Sequence, residues 1–304
     1  MSGKYLKPKY WSVWLLIGFG KLYTRLPYKF QMRTAVVIGK ALKPFLKRRR
    51  DITITNLKIA FPEKSERELE ELASKSFDSA YMAAVESLIA WFMPEKRFKK
   101  IKVEIENKEV FDRIHNDPNK TLLFLGFHFH ALEIAGRYVG SQYKPFALVY
   151  QKHSNQLMER VILSSRRKNV TECYERKNLL PIIRSLKKRI TLWYAPDQDF
   201  GNEHSVFVPF FGKECSTLTV TSWLVKKTGA TVVPVYYIRN DDLSGYKVII
   251  SDPIENFPED EVEGARLTNE ILEGFIKKFP EQYLWQHRRY KTQPNGVRGE
   301  VYKT

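Results

Sequence analysis

The sequence predicts an α/β protein in which helices cover a mixed β-sheet, with a helical membrane-anchoring segment at the N-terminus. Three observations lead there. Short apolar runs typical of buried strands alternate with stretches of helical periodicity along the 304 residues. One of these runs, at 121–125, leads directly into a polar turn and a helix start. The basic charge is concentrated in front of this alternating pattern, within the first 50 residues.

The net charge of +17 is very unevenly distributed. Residues 1–50 contain 13 Lys and Arg and no Asp or Glu, whereas residues 51–304 contain 38 basic and 34 acidic residues. The excess charge therefore belongs to the N-terminal segment, and we predict no nucleic-acid partner. The same contrast divides the chain into a basic helical segment, 1–50, and a main domain, 51–304.

The N-terminal segment has two parts that suit a membrane. Residues 10–20 are apolar and aromatic with lysine flanks, and as a helix they reach about 16 Å, less than the roughly 30 Å of a hydrocarbon core. No small-residue cleavage site follows, so this is not a cleavable signal peptide. Residues 28–46 form a basic amphipathic helix that 47–50 should end. We expect an anchor that either spans the membrane or lies in its interface. The alternatives are a buried helix and a solvated charged face.

The remaining elements follow from capping, periodicity and turn signals. Ser65-Glu-Arg-Glu68 is a capping box that should begin a long helix, with Leu69, Leu72, Ala73, Phe77, Ala80, Ala84 and Leu88 as its buried stripe. Strands are predicted at 101–106, 145–150, 190–194, 231–238 and 246–251. Helices are predicted at 154–168, 217–228 and 262–279.

The turn after the run at 121–125 contains the strongest candidates for catalytic residues. It contains His128 and His130, and Glu133 follows in the next helix. An imidazole oriented by a carboxylate can remove a proton from a hydroxyl near neutral pH. His128 could use Glu133 only from the loop before the helix, whereas His130 and Glu133 would share a helical face. Spacing leaves both dyads open, along with a simple ion pair between Glu133 and Arg137.

A second polar turn follows the predicted strand at 190–194. It contains Asp197 and Asp199, which would bind substrate or stiffen the turn through their own backbone. If both strands are parallel, this turn and the histidine turn lie at the same sheet edge. The two cysteines, Cys173 and Cys215, cannot form a disulfide framework, and the histidines show no metal-ligand spacing.

The C-terminal string Trp285-Gln-His-Arg-Arg-Tyr-Lys291 mixes basic and aromatic residues. Arginine binds phosphate bidentately, so Arg288 and Arg289, with Lys291, are predicted to recognise a phosphate or an acidic sugar. The alternative is a solvated basic tail.

Several of these stretches together resemble one family. His-x4-Asp/Glu is the signature of glycerolipid acyltransferases, and His128-Phe-x-x-Leu-Glu133-x-x-x-Arg137 resembles the late acyltransferases of lipid A biosynthesis. The strings at 193–212, 280–292 and 47–62 agree with that family in the same order, so the resemblance covers nearly the whole chain.

The resemblance implies a glycerolipid-acyltransferase-like fold, with residues 51–304 as the catalytic domain. It assigns His128 and Glu133 as the catalytic dyad and places Arg166 near the active site. The implied reaction moves a fatty acyl chain from an acyl-carrier-protein thioester to a hydroxyl of a 3-hydroxyacyl chain on a lipid A precursor. It needs no cofactor or metal, and Arg166 or backbone amides would stabilise the oxyanion.

The resemblance also implies a location and a branch of the family. The protein would act at the cytoplasmic face of the inner membrane of a Gram-negative bacterium. The histidine string is closer to the lauroyltransferase type, which adds the first secondary chain. Gln198 stands where the family often has histidine, so this position receives no catalytic role.

Two other functions remain open. A glycerolipid acyltransferase would share the histidine motif but usually has a Glu-Gly-x-Arg turn where this chain has Pro196-Asp-Gln-Asp199. A basic membrane-binding protein without activity would explain the N-terminus but not the histidine turn. The sequence indicates neither the acyl-chain length, the acylated hydroxyl nor the oligomeric state.

Overall fold

A seven-stranded mixed sheet forms the centre of the protein. The structure, a computed structural model, describes residues 3–303. The strands are β1 (Lys102–Glu106), β2 (Leu122–Leu125), β3 (Phe146–Tyr150), β4 (Glu172–Glu175), β5 (Thr191–Tyr194), β6 (Ser205–Phe210), β7 (Lys213–Leu218), β8 (Thr231–Arg239) and β9 (Gly245–Ile250). The sheet order is β1-β9-β8-β2-β5-β3-β4, and β6 and β7 form a separate antiparallel hairpin.

Helices cover this sheet, as predicted. They are α1 (Trp11–Tyr23), α2 (Tyr28–Leu42), α3 (Lys47–Ala60), α4 (Glu66–Phe92), α5 (Glu95–Phe98), α6 (Lys108–His115), α7 (Leu132–Gln142), α8 (Gln156–Arg166), α9 (Leu179–Lys187), α10 (Val220–Thr228) and α11 (Glu261–Lys278). Short 3-10 turns lie at Gly3–Leu6, Pro8–Tyr10, Lys43–Leu46, Pro280–Gln282 and Glu300–Tyr302. The α/β class and the mixed sheet predicted from the sequence are therefore confirmed.

The strand directions place the two polar turns side by side. β8, β2, β5, β3 and β4 run parallel, and only the pairing of β9 with β8 is antiparallel. β2 and β5 are direct neighbours, with Leu123 opposite Leu192 and Leu125 opposite Tyr194. The segments that follow these strands consequently emerge at the same carboxyl edge, where open α/β sheets bind their ligands.

The long helix α4 begins with the predicted capping box. The Ser65 hydroxyl accepts from the Glu68 backbone N–H at 3.3 Å, and the Glu68 carboxylate accepts from the Ser65 N–H at 2.9 Å. Its predicted apolar stripe is confirmed only in part, because Ala84 is exposed and Phe77 and Ala80 are half-buried. Polar residues are buried on this helix instead, namely Ser76, Ser79 and Glu86.

Glu86 binds the only buried cation of β8 through two contacts. Its carboxylate accepts from Arg239 Nε at 2.5 Å and from Arg239 Nη2 at 2.7 Å, and also from the Tyr246 hydroxyl at 2.6 Å. Tyr28 of α2 donates to the Tyr246 hydroxyl at 2.8 Å. A helix of the N-terminal segment is thus hydrogen-bonded to the central sheet.

The helix boundaries of the N-terminal segment differ from those predicted. The helix predicted at 28–46 ends at Leu42 and passes through the 3-10 turn Lys43–Leu46, and Lys47 begins α3 instead of ending a helix. The boundary predicted at residue 50 falls inside α3. The first two residues of the predicted segment 1–50, and Thr304 at the end of 51–304, lie outside the described residues.

One face of α1 is part of the protein interior. Tyr10, Val13 and Ile17 form a small apolar cluster with Leu157, Met158 and Ile162, the last three on α8. The other face, and much of α2, is exposed. Between residues 3 and 303, 14 large apolar side chains are exposed, and 11 of them lie in the first 45 residues: Leu6, Trp11, Leu15, Phe19, Leu22, Leu26, Phe30, Val37, Ile38, Leu42 and Phe45. None of the described helices combines the length and apolar character needed to cross a bilayer.

Both cysteines are free and buried. Burial raises the pKa of the Cys173 thiol to about 11 and also raises that of Cys215. Neither thiol is therefore appreciably ionised near neutral pH.

Candidate active site

A cavity of about 780 Å³ lies at the carboxyl edge of the parallel strands. Residues that follow β2, β3 and β5 line it, among them His128, Gln151, Gln198 and Phe200. The cavity combines polar side chains with a large apolar wall, formed by Trp91, Leu132, Leu148, Val149, Val170, Leu179, Ile182, Trp193 and Leu224. A cavity of this size and composition is suited to a small molecule or an extended apolar chain.

His128 is held at two points by Asp197. Its Nδ1 lies 2.7 Å from Asp197 Oδ1, and its backbone N–H donates to Asp197 Oδ2 at 3.0 Å. An ionised carboxylate only accepts hydrogen bonds, so Nδ1 carries the proton and Nε2 has the free lone pair. In the described part of the chain Nε2 has no hydrogen-bond partner, and the ring lines the cavity with its side chain 24% exposed.

The pKa values of this pair are shifted in opposite directions. Burial alone lowers the pKa of His128, but the charge and hydrogen bond of Asp197, with a smaller contribution from Glu133, raise it above the ordinary value. Burial alone raises the pKa of Asp197, but His128 and the backbone N–H lower it below the ordinary value. Asp197 is therefore ionised near neutral pH, and it stabilises the imidazolium form of His128.

Glu133 contacts different residues from those predicted. It forms an ion pair with Arg166 of α8 and accepts from Trp91 Nε1 of α4 at 3.2 Å. His128 lies in the loop before α7, as its spacing required, but Asp197 and not Glu133 binds its Nδ1. The prediction that Glu133 holds the tautomer of His128 is corrected on this point, because the neighbouring strand β5 brings Asp197 closer.

The two alternatives left by spacing are not formed either. His130 Nδ1 lies 2.8 Å from Ser79 Oγ, not against Glu133, and His130 is absent from the cavity wall. Burial, with a contribution from Arg239, lowers the pKa of His130 to about 3, so this ring is neutral. Arg137 donates to the carbonyls of Ile89 and Met93 and to Glu95, not to Glu133.

Asp199 forms hydrogen bonds with protein groups of neighbouring loops. Its carboxylate accepts from the Thr292 N–H at 2.6 Å, the Thr292 hydroxyl at 2.8 Å and the Gly201 N–H at 2.9 Å. Neither Asp197 nor Asp199 lines the cavity, because both are turned toward protein groups and are buried. Their predicted substrate-binding role is corrected accordingly. For Asp199, the alternative of a stiffened turn agrees with the geometry.

The C-terminal arginines lie away from the cavity. Arg289 is 2% exposed and donates to the Ser216 carbonyl at 2.6 Å, Thr217 Oγ1 at 2.9 Å and Asn269 Oδ1 at 3.1 Å. Its guanidinium therefore joins β7 to α11, and the prediction that it binds substrate is wrong for this reason. Arg288 is half-buried and is likewise absent from the cavity wall, so its contact with substrate stays a prediction.

Arg166 does line the cavity, as expected. Burial disfavours its charge, but Glu133 outweighs this and raises the pKa of Arg166, so the guanidinium remains charged. Three backbone N–H groups of the histidine turn, those of His128, Phe129 and His130, already have acceptors. The N–H of Phe129 donates to the Phe127 carbonyl at 2.9 Å, and that of His130 donates to the Gln282 carbonyl at 2.8 Å. With the His128 N–H bound to Asp197, Arg166 is the better placed of the two predicted types of oxyanion donor.

Within residues 3–303, no group of three or more His, Cys, Asp or Glu side chains is arranged to bind a metal ion.

Comparison with known proteins identifies the family. The model of the bacterial lipid A biosynthesis acyltransferase family matches residues 1–292. The chain belongs to this family. It is similar to the lipid A biosynthesis palmitoleoyltransferase of Escherichia coli K12, at 38% identity over 97% of this chain and 96% of that protein. The lauroyltransferase of the same organism is 37% identical, over 96% of this chain and 95% of the relative. Its myristoyltransferase is 30% identical, over 95% and 90%. The protein is therefore an acyltransferase of lipid A biosynthesis.

Proposed function

We propose that the enzyme transfers a fatty acyl chain from the thioester of acyl carrier protein to a hydroxyl group on a lipid A precursor. The accepting hydroxyl is the one on a 3-hydroxyacyl chain already attached to the sugar. The observation that carries this proposal is His128, whose Nδ1 is bound to a buried carboxylate while Nε2 faces a cavity with an apolar wall. A base beside an apolar cavity suits a reaction between a hydroxyl and a long acyl chain.

His128 acts first as a base and then as an acid. Nε2 takes the proton of the acceptor hydroxyl as its oxygen forms a bond to the thioester carbonyl carbon. Asp197 orients the ring and stabilises the imidazolium, as in serine hydrolases, but here the acceptor itself is the nucleophile. The C–S bond then breaks, the carbonyl re-forms, and Nε2 returns the proton to the leaving thiolate. The products are an ester and a free thiol.

Arg166 supports the same step through its positive charge. The thioester oxygen gains negative charge in the tetrahedral intermediate, and a fixed donor to such an oxygen contributes roughly 3 kcal/mol. Arg166 is charged, lines the cavity and is held by Glu133. We therefore assign Glu133 the role of positioning Arg166, with only a secondary electrostatic effect on His128.

The degree of similarity supports one branch within the family. Identity is higher to the lauroyl- and palmitoleoyltransferases than to the myristoyltransferase. Together with the His128-Phe-x-x-Leu-Glu133 string, this favours an enzyme that adds the first secondary chain.

The N-terminal helices are proposed to bind the cytoplasmic face of the inner membrane without crossing it. Their exposed apolar side chains alternate with lysines and arginines, a composition that suits the headgroup boundary of an anionic leaflet. The packed face of α1 and the Tyr28 hydrogen bond keep these helices attached to the catalytic domain. The acceptor lipid lies in the same membrane.

The proposal is tested by acyl transfer with purified enzyme. Acyl-carrier-protein donors and a lipid A precursor are incubated with the wild type and with His128→Ala, and products are identified by mass spectrometry. Loss of the base should slow transfer by about a hundredfold or more. The matched control, His130→Asn, should stay within about tenfold, because His130 lies outside the cavity. An equally slow His130 variant would contradict the assignment, and a fully active His128→Ala would exclude base catalysis by this residue.

A further inference from the structure

The cavity wall contains two cations with no acidic partner. Arg166 is paired with Glu133, and Arg137 is bound by carbonyls and by Glu95. Arg176 and Lys177 also line the cavity, and among the described residues neither side chain forms an ion pair or a hydrogen bond. Positive charge in a substrate cavity that no protein group neutralises is suited to an anionic ligand.

Two contacts hold Arg176 at the cavity wall. Its guanidinium lies 4.1 Å from the centre of the Phe200 ring, and its backbone N–H donates to the Tyr150 carbonyl at 2.9 Å. Its Nε is buried and has no hydrogen-bond partner, as is also true of Arg137 Nε in the same wall. Arg137 is bound through its other nitrogens, whereas no side-chain nitrogen of Arg176 has a hydrogen-bond partner among the described residues. Buried donors in proteins are nearly always satisfied, so an unsatisfied one beside a cavity indicates a missing acceptor. A guanidinium stacked on an aromatic ring keeps its edge N–H groups free for a bidentate acceptor.

The position of Arg176 relative to His128 follows from the sheet. Arg176 comes directly after the edge strand β4, and His128 follows β2, with β5 and β3 between them. Three strand spacings separate these two strand ends, which is about 14 Å. Phe200 follows β5, and its ring is stacked on the Arg176 guanidinium. An anion on Arg176 would therefore occupy the opposite end of the cavity from the reacting hydroxyl.

We propose that Arg176, stacked on Phe200 and assisted by Lys177, binds a phosphate monoester of the acceptor glycolipid. This inference rests on the proposed function and names the part of the acceptor that the cavity recognises. A phosphate monoester carries close to two negative charges near neutral pH, which matches two adjacent cations. Because Arg176 Nε is buried in the cavity wall, a phosphate group inside the cavity suits it better than the surface of an acidic carrier protein does.

The decisive measurement compares acceptors with and without the phosphate monoester. Arg176→Gln should raise KM for the phosphorylated acceptor by about tenfold or more, the scale of a lost charge-assisted contact. It should leave KM for the dephosphorylated acceptor and kcat for both within about threefold. Arg176→Lys should show an intermediate loss, because lysine keeps the charge but not the bidentate geometry. Arg184→Gln on α9 removes the same charge outside the cavity wall and should change neither KM.

The donor is varied in parallel to exclude a contact with it. Three thioesters are used: acyl carrier protein, acyl-coenzyme A, and acyl-N-acetylcysteamine, which has neither phosphate nor protein. An effect of Arg176→Gln confined to the first donor would assign Arg176 to the carrier protein. An effect on the first two only would assign it to the pantetheine phosphate. Either result, or equal KM increases for the two acceptors, would overturn the proposal.

Binding without turnover separates this proposal from the proposed function. The affinity of wild type and Arg176→Gln for each acceptor is measured by calorimetry in detergent, with a melting curve for each variant. Selective weakening for the phosphorylated acceptor supports the subsite even if no transfer is detected. Wild type that transfers acyl chains but binds both acceptors equally would reject the subsite and leave the proposed function in place.

Discussion

Both carboxylate oxygens of Asp197 form a hydrogen bond with His128. The contact to the ring selects the tautomer, and the contact to the backbone N–H fixes the loop that carries the ring. Because the Asp197 side chain is only 1% exposed, water competes weakly for these hydrogen bonds. Asp197 thus holds His128 in place without lining the cavity itself.

Asp197→Asn is expected to move the acid limb of the rate profile to lower pH. Asp197 raises the pKa of His128, while burial, which lowers it, remains in the variant. Transfer requires neutral His128, so a lower pKa lets the rate rise at lower pH. The maximal rate should fall by roughly tenfold to a hundredfold, less than for loss of the base itself. The measurement is kcat from about pH 5 to 9.

The control for this prediction is Glu133→Gln. It should lower kcat by weakening the hold on Arg166, but it should move the acid limb much less, since Glu133 is the smaller influence on His128. If the acid limb moves further in Glu133→Gln than in Asp197→Asn, Glu133 and not Asp197 is the residue that orients His128.

At the level of single residues, the sequence predicts which side chains line the cavity better than it predicts their hydrogen-bond partners. His128 and Arg166 were predicted and do line the cavity. The partner of His128 depends on β2 and β5 being neighbours in the sheet, and linear spacing contains no information on strand order. The environment of Arg289 could not be predicted, because a basic sequence does not show whether its side chains face solvent or buried carbonyl and amide oxygens.

Helix α11 offers a matched pair of glycines with opposite expected effects on stability. A Cβ at Gly274 would meet no atom within 4 Å, whereas one at Gly264 would overlap Ser222 Oγ. Gly274→Ala should therefore stabilise the protein by about 0.5–1 kcal/mol through helix propensity. Gly264→Ala should destabilise it, since α10 would have to move away from α11. Thermal unfolding of both variants checks this, and two shifts of the same sign would contradict the packing.

Helix α7 has a glycine at the cavity wall, one turn after Glu133. A Cβ at Gly136 would have Trp193 Cζ3 as its nearest neighbour, at 4.0 Å, so larger side chains there extend into the cavity. Gly136→Leu should shift acyl preference toward shorter chains. Competition between carrier-protein donors of graded length measures the shift, and Gly274→Leu serves as the control. Unchanged preference would place the acyl chain elsewhere.

The sequence predicts elements with a clear apolar pattern well, but it does not indicate short segments of mixed polarity. α11, β8 and β9 were predicted within a few residues because each has many apolar positions in one period. β4 and the β6–β7 hairpin were not predicted as strands, since four- to six-residue segments with mixed polarity carry little periodic signal. The missed strand β4 is the one that leads into Arg176.

On the scale of the whole molecule, 11 of the 14 large apolar side chains exposed between residues 3 and 303 lie in the first 45 residues, and we call these 11 the N-terminal surface. Leu15, Leu22 and Phe45 are 74%, 68% and 83% exposed. Changing all three to Ser should reduce binding to vesicles of anionic lipid by roughly tenfold or more, because each loses apolar area that the interface would cover. The melting temperature should change little, since these side chains make no part of the core.

The matched control uses the exposed apolar residues outside this surface. Leu180, Val262 and Val297 changed to Ser should leave vesicle binding unaltered. Equal losses in the two triple variants would contradict a localised membrane surface. Substitution is the better test than deletion of residues 1–27, because deletion would also remove Tyr10, Val13, Ile17 and Tyr23 from the interior.

The buried state of Cys173 and Cys215 has a practical consequence for spectroscopy. Since neither thiol is exposed or readily ionised, the unaltered protein should react slowly with maleimides. A single new cysteine, introduced as Phe45→Cys or Lys187→Cys, could then be labelled selectively without replacing either native cysteine. Protection of the first label by vesicles, but not of the second, would report the orientation of the enzyme on a bilayer directly.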